Sequence, residues 1–161
     1  MIVPDTCLYN YKMNDTSVTT GGYVGSKMYT EGLTQAKTII KAAFVDHVLS
    51  HRIVLANAVT AGRPSATAWC DSEADLMNEQ MVHGGAIFMP TAKGDGVFSN
   101  FRVEASQLPL FAHDPVKIRI PSSWWLRDVV SNEGFARVDK GQASYGYAGT
   151  SSGVRPAFCI Y

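Results

Sequence analysis

From residue 117 to the C-terminus the apolar residues fall in short runs, at 117–120, 124–127, 135–138, 143–147 and 154–160. Asp, Asn, Gly and Ser separate the runs at intervals of about ten residues, the cadence of strands joined by tight turns and too short for ordinary helices. The first half reads differently. Between Thr30 and Phe44 the apolar positions Leu33, Ala36, Ile40, Ala43 and Phe44 recur at helical spacing, with Gln35, Lys37 and Lys41 mostly between them, which predicts a helix. A second helix is predicted from Asp71 or Ser72 to Gly84-Gly85. Ser72 with Asp75 resembles a capping box there, and Ala74, Leu76, Met77 and Met81 supply an apolar face.

Residues 1–29 read as one strand and a loop, 85–89 as a short strand, and 90–106, around Gly94-Asp95-Gly96, as a long surface loop or hairpin. Residues 51–59 fit a strand or a buried turn of helix, and periodicity does not separate the two. Helices followed by strands predict an α+β fold rather than a doubly wound sheet. At 161 residues, 46% of them hydrophobic and 17% charged, the chain can build one core without disulfide or metal staples, so 1–161 reads as a single domain.

The 14 basic side chains balance the 14 acidic ones, leaving no net field to draw the chain to nucleic acid or an anionic membrane. No apolar stretch is long enough to insert in a bilayer, and Met-Ile-Val-Pro-Asp does not open like a signal peptide. A chain without a signal can still act outside a cell as part of a phage particle. Cys7, Cys70 and Cys159 are odd in number and far apart, so they read as small apolar core residues rather than disulfides or metal ligands.

Signatures of catalysis are weak. Gly149-Thr150-Ser151-Ser152-Gly153 satisfies G-x-S-x-G, but the extended Val154-Arg155-Pro156 follows where a nucleophile elbow needs a helix. His47 and His51 stand four apart without the Glu of a zinc hydrolase motif. The expectation is a protein that is not an enzyme, with no cofactor and no metal.

The last quarter holds Trp124, Trp125, Phe135, Tyr145, Tyr147, Phe158 and Tyr161. Adjacent tryptophans in a strand point to opposite faces, so either both are core or one meets solvent or a partner. Around them lie Tyr, Ser, Asn and Arg, residues that combine rigid contact area with adaptable hydrogen bonding. The predicted ligand-binding set is Trp125, Asp128, Ser131, Asn132, Phe135, Arg137, Asp139, Lys140, Tyr145 and Tyr147.

Trp124-Trp125-Leu126-Arg127, the polar and aromatic stretch after it, and Gly153-Val154-Arg155-Pro156-Ala157-Phe158-Cys159-Ile160 together resemble the closing segment of bacterial and prophage domains with a C-type-lectin-like fold. Variable proteins of diversity-generating retroelements, phage tropism determinants and formylglycine-generating enzymes share that fold. Upstream, Val3-Pro4-Asp5-Thr6, residues 21–28 and 106–111 are similar to phage tail-associated members. The resemblance implies two helices flanking short antiparallel sheets, paired terminal strands, and structural roles for Trp124, Arg127, Arg155 and Phe158. Buried arginines at 127 and 155 would need carboxylate or carbonyl partners.

It also implies a receptor-binding domain (adhesin) in the virion tail, acting outside the cell, with a bacterial cell-surface protein or glycan and other tail subunits as partners. A homo-oligomer is expected, a trimer being common at tail tips. The alternative is a structural tail or baseplate domain that holds neighbouring subunits. Calcium-lectin sugar motifs and the paired active-site cysteines of the formylglycine-generating branch do not occur here.

Overall fold

The structure is a computed structural model and describes residues 1–88 and 106–161. Its elements run in chain order as β1 (Tyr9–Lys12), a π-helical turn (Met28–Gly32) leading into α1 (Leu33–Phe44), a 3-10 turn (Val45–His47), β2 (Val48–Leu49), β3 (His51–Thr60), β4 (Arg63–Ser72), β5 (Ala74–Leu76) and α2 (Glu79–His83). There follow α3 (Pro109–His113), a second 3-10 turn (Pro115–Ile118), β6 (Trp124–Val129), β7 (Gly134–Asp139), β8 (Gln142–Tyr147), β9 (Ser151–Val154) and β10 (Pro156–Ile160). This is a mixed α+β fold.

A five-stranded sheet in the order β1-β9-β6-β7-β8 forms its centre. β6 and β9 meet in parallel at Trp124 and Gly153, while the other pairings are antiparallel. Two tight turns shape the hairpins: Ala61 and Gly62 (φ 52° and 77°) join β3 to β4, and Lys140 and Gly141 (φ 51° and 90°) join β7 to β8. Positive φ at both central positions gives a turn whose twist matches the strands it connects.

The middle of the sheet is buried on both faces. Trp125 packs with Met13, Tyr23, Leu33, Phe135 and Val154 on one side, and Trp124 with Phe111, Leu126, Ala136 and Val138 on the other. The tryptophans do point to opposite faces, but each anchors its own core and neither meets solvent. A sheet covered on both sides needs apolar residues at successive positions, and every residue of β6 is accordingly buried.

The chain ends lie together. Ile2 and Phe158 exchange both backbone hydrogen bonds, at 2.7 and 3.0 Å, and the Leu8 N–H donates to the Val154 carbonyl at 2.9 Å. The run expected over 154–160 breaks at Arg155, sending β9 into the central sheet and β10 into a three-stranded sheet in the order β2-β10-β5. At the break the Arg155 guanidinium lies 5.0 Å from the Trp124 ring centroid and 5.6 Å from that of Phe111. Its Nε donates to the Pro4 carbonyl at 2.8 Å and its Nη1 to the Lys117 carbonyl at 2.9 Å.

Several expectations are corrected. In place of the second helix, Ala74–Leu76 forms a buried strand paired with residues 156–158, and only Glu79–His83 is helical. The Ser72 hydroxyl does reach the Asp75 carboxylate, yet it closes a strand end rather than a helix start. One long helix therefore flanks the sheets instead of two. Residues 85–88 are not a strand, because the Ile87 and Phe88 N–H groups donate to the Glu79 carboxylate at 2.8 and 3.0 Å instead of to a ladder. Met89 and the loop expected over 90–106, apart from Ser106, lie outside the described residues.

Residues 117–120 are not a strand either. Pro115 starts the 3-10 turn, whose Val116 N–H is capped by the Asp114 side chain at 3.2 Å. Residues 51–59 are strand, paired with β4, which no spacing in the sequence announces. The three cysteines are free and half-buried rather than fully inside.

Two substitutions probe this frame. Arg155→Lys replaces a planar fork by a single ammonium that cannot serve both carbonyls and both rings, and we expect about 2–3 kcal/mol of lost stability by urea denaturation. Gly153→Ala places a methyl group into Cys7 Sγ and 2.9 Å from the Ser123 carbonyl. Overpacking of that kind costs about 1–3 kcal/mol; a wild-type urea midpoint would show that the β6–β9 junction can spread.

Candidate functional site

The ten residues expected to display a binding surface do not form one. Trp125 and Phe135 have no exposed surface and Asp128 only 3%, so these three are corrected to interior residues. Arg137 and Asp139, both half-buried, share the Trp125 face of the sheet, since Arg137 stands opposite Trp125 and Ser144 in the register. Tyr145 and Tyr147 stand opposite Ala136 and Gly134, on the other face. Strand alternation forces this separation. Ser131 and Asn132 sit at one end, where their carbonyls accept the Thr19 hydroxyl and N–H at 2.7 and 3.0 Å, while Lys140 lies in the turn at the other.

Apart from exposed Asn132 and Lys140, what remains outside is a small aromatic surface on β8, the outermost strand of its sheet among the described residues. Tyr145 is 53% and Tyr147 57% exposed, and the Phe88 ring meets Tyr145 edge-on with centroids 5.4 Å apart. Ile87, 52% exposed, is next in the chain. Both apolar residues were missed from the sequence, where they were assigned to a strand.

A buried acid holds Phe88 there. Glu79 lies wholly inside at the start of α2, its carboxylate receiving the N–H groups of residues 87 and 88. The Asn78 side chain caps the same helix by accepting the Met81 N–H at 2.8 Å, and Asp128 accepts the Glu79 N–H at 2.6 Å. Asp128 thus works as an inward support for the aromatic patch rather than as part of it. Arg127, beside it, donates to the Leu76 carbonyl at 3.1 Å.

A second polar group lies under α1. The Tyr23 hydroxyl donates to Asp75 Oδ1 at 3.0 Å and accepts the Leu76 N–H at 3.1 Å. Burial raises the Asp75 carboxyl above its ordinary range, opposed by hydrogen bonds from Ser72 and Tyr23 and by the charges of Arg127 and Lys37. Burial, with Asp75 adding to it, also pushes the Tyr23 phenol well above its usual value. This network touches the core and no surface patch, which makes it a support of the β4–β5 corner.

Other surfaces offer less. A polar hollow of about 380 Å³ is lined by Asn14, Asp15, Lys27 and Glu31 among others, where Lys27 Nζ is 3.1 Å from Asp15 and 3.6 Å from Glu31. Another, of about 420 Å³, lies against Arg119, Ile120, Pro121 and Lys140. His47 belongs to the 3-10 turn and faces Tyr161, whereas His51 opens β3, so no single helical face carries them. Ser151 begins β9 and is followed by strand. Among the described residues no three His, Cys, Asp or Glu side chains gather as metal ligands, and no helix is long and apolar enough to cross a membrane.

No protein-family model, curated protein or solved structure matches the chain.

The raised Asp75 carboxyl predicts a pH dependence. A folded-state value above the unfolded one favours the fold where the acid is protonated, so this contribution is full below pH 3.8 and is lost as pH rises through the raised value. Asp75→Asn keeps an acceptor for Tyr23 and an amide for Ser72. Urea midpoints at acid and neutral pH should differ less in the variant, and an unchanged difference would assign the slope to other groups.

Proposed function

We propose that this chain is a C-type-lectin-like binding domain serving as the receptor-binding part of a phage or prophage tail structure, active outside the cell. It holds a bacterial cell-surface protein or glycan at the β8 edge. The observation that carries the reading is the pair Tyr145 and Tyr147, exposed beside Phe88 on a strand whose sheet is buried on both faces at its centre. Tyrosine gives large rigid contact area with a polar tip, and a fixed backbone beneath it reduces the entropy lost on binding.

Parts of the frame support the resemblance from which the tail assignment comes, although the second flanking helix it implies is not formed. Terminal segments pair, Trp124, Arg127, Arg155 and Phe158 are buried, and both arginines find carbonyl partners. One observation favours the alternative of a structural tail or baseplate domain: exposed Ile87 adds apolar area of the kind that permanent subunit contacts use. Exposed Asn132, Glu133 and Gln142 on the same β6–β8 segment favour a transient, wetter contact.

Binding of the purified domain to candidate host cells tests this. Tyr145→Ala with Tyr147→Ala should weaken binding at least about tenfold, as expected for central aromatic contacts, with the fold unchanged by circular dichroism. Arg137→Ala, on the opposite face, should bind as wild type does. Equal binding by the double variant would remove the β8 edge from the reading.

A further inference from the structure

Among the described residues β8 is the outermost strand of its sheet, and its register fixes which backbone groups it turns outward. The two-residue turn makes Asp139 and Gln142 a hydrogen-bonded pair, and the Ala148 N–H donating to the Glu133 carbonyl at 2.8 Å shows the same parity at the far end. Gln142, Ser144 and Gly146 therefore aim their backbone groups at β7, while Ala143, Tyr145 and Tyr147 aim theirs away from it. Among the described residues, Thr150 takes the Tyr147 carbonyl through its N–H and hydroxyl at 2.9 and 2.7 Å. The Ser144 hydroxyl reaches the Tyr145 carbonyl at only 3.4 Å.

Sheet edges left in solvent are ordinarily guarded by charge, proline or bulges. β4 shows all three, with Pro64, register shifts opposite residues 56–59 and Asp71 paired to Arg52 at 3.4 Å. β8 shows none: Gln-Ala-Ser-Tyr-Gly-Tyr carries no charge and no proline, and its register is unbroken.

We propose that β8 pairs antiparallel with β8 of a second copy, about a two-fold axis at Tyr145, so that the receptor surface of the preceding section is shared by two chains. The occupant follows from the strand's own symmetry. Centred on Tyr145, the register sets small Ala143 against large Tyr147 of the other copy and pairs all three outward-facing residues. Any other two-fold register leaves one or more of them unmatched. The two Tyr145 residues exchange both backbone hydrogen bonds, and each Tyr147 N–H meets the opposite Ala143 carbonyl, the Tyr147 carbonyl being held by Thr150. The tyrosine side chains stay on the sheet face, and two from each copy form one continuous aromatic platform.

An edge of six residues falls short of the roughly 1,200 Å² of a standard stable interface, so the dimer is weak and concentration-dependent. Sedimentation equilibrium from about 5 µM to about 500 µM should show the mass rising from 17.5 kDa toward twice that value. Ala143→Pro leaves the β7 ladder intact, because β7 does not use that N–H, while its ring occupies the space where the opposite strand would approach, so it should hold the monomer mass throughout. Tyr145→Lys sets like charges against each other at the axis and should also stay monomeric, whereas its mixture with Tyr145→Glu should dimerise.

A wild-type chain of monomer mass over the whole range overturns the proposal, as does Ala143→Pro dimerising like wild type or a Lys and Glu mixture that does not associate. The proposal rests on the receptor reading only for the shared platform, and cell binding separates the two. A wild-type monomer that binds cells through its tyrosines sinks the dimer and leaves the receptor reading standing. A wild-type dimer that binds no host does the reverse. A wild-type monomer whose Ala143→Pro variant alone loses cell binding would mean that the edge receives a strand of the receptor, which also overturns self-pairing.

Discussion

The buried Arg155 guanidinium is the contact on which the other parts of the structure depend. It is wholly inside, its plane lies near the rings of Trp124 and Phe111, and its nitrogens reach carbonyls of Pro4 and Lys117. One side chain thereby ties together the N-terminal segment, the 3-10 turn, the central strand β6 and the junction between β9 and β10. A charge so placed is tolerable only with good hydrogen bonds, and the cation over aromatic faces adds to them. Because the chain must turn inward at 155, its last two strands enter different sheets and bring the C-terminus back to Ile2.

From that closure follows the burial of the central sheet on both faces, and from that the narrowness of the available surface. Most side chains between Trp124 and Val138 are committed to one of two cores. Only turns and the outer strand remain. Where acidic groups are buried, they organise the periphery: Glu79 gathers the backbone after α2, and Asp128 holds the start of that helix.

The strand-rich C-terminal half, the helix ending at Phe44, the paired termini and the need of the two arginines for carboxylate or carbonyl partners were legible in the sequence. Local spacing and turn residues, joined to a resemblance, sufficed for these. The second helix was misread because Ala74-Asp75-Leu76 has helical company on both sides, and only tertiary pairing with residues 156–158 makes it a strand. β4 was missed because Arg63-Pro64-Ser65-Ala66-Thr67 lacks both β-branched density and clean alternation. The binding set was drawn too wide for a related reason: a sheet covered on one face would have exposed every second residue, and nothing in local spacing announced that both faces were covered. Alternation between Trp124 and Trp125 was visible, but it left open whether both were core or one met solvent. Phe88 and Ile87 owe their position to a contact with Glu79, and no pattern in the chain signals it.

This division between frame and edge bears on how such a surface could change its specificity. Substitution at Trp125 or Phe135 would open a cavity in the core, at a cost of about 3–5 kcal/mol, comparable to the whole stability of a marginal domain. Tyr145 and Tyr147, more than half exposed, stand where most replacements shift stability by no more than about 0.5 kcal/mol. The β7–β8 turn keeps its geometry through Lys140 and Gly141, independently of either tyrosine. Side-chain identity at 145 and 147 is therefore nearly uncoupled from folding, and the backbone that presents them is fixed by residues that cannot vary freely. Under the proposed receptor-binding role, a domain with that separation would take a new partner by changing a few side chains on one strand while its core, its arginine clasp and its register stay as they are.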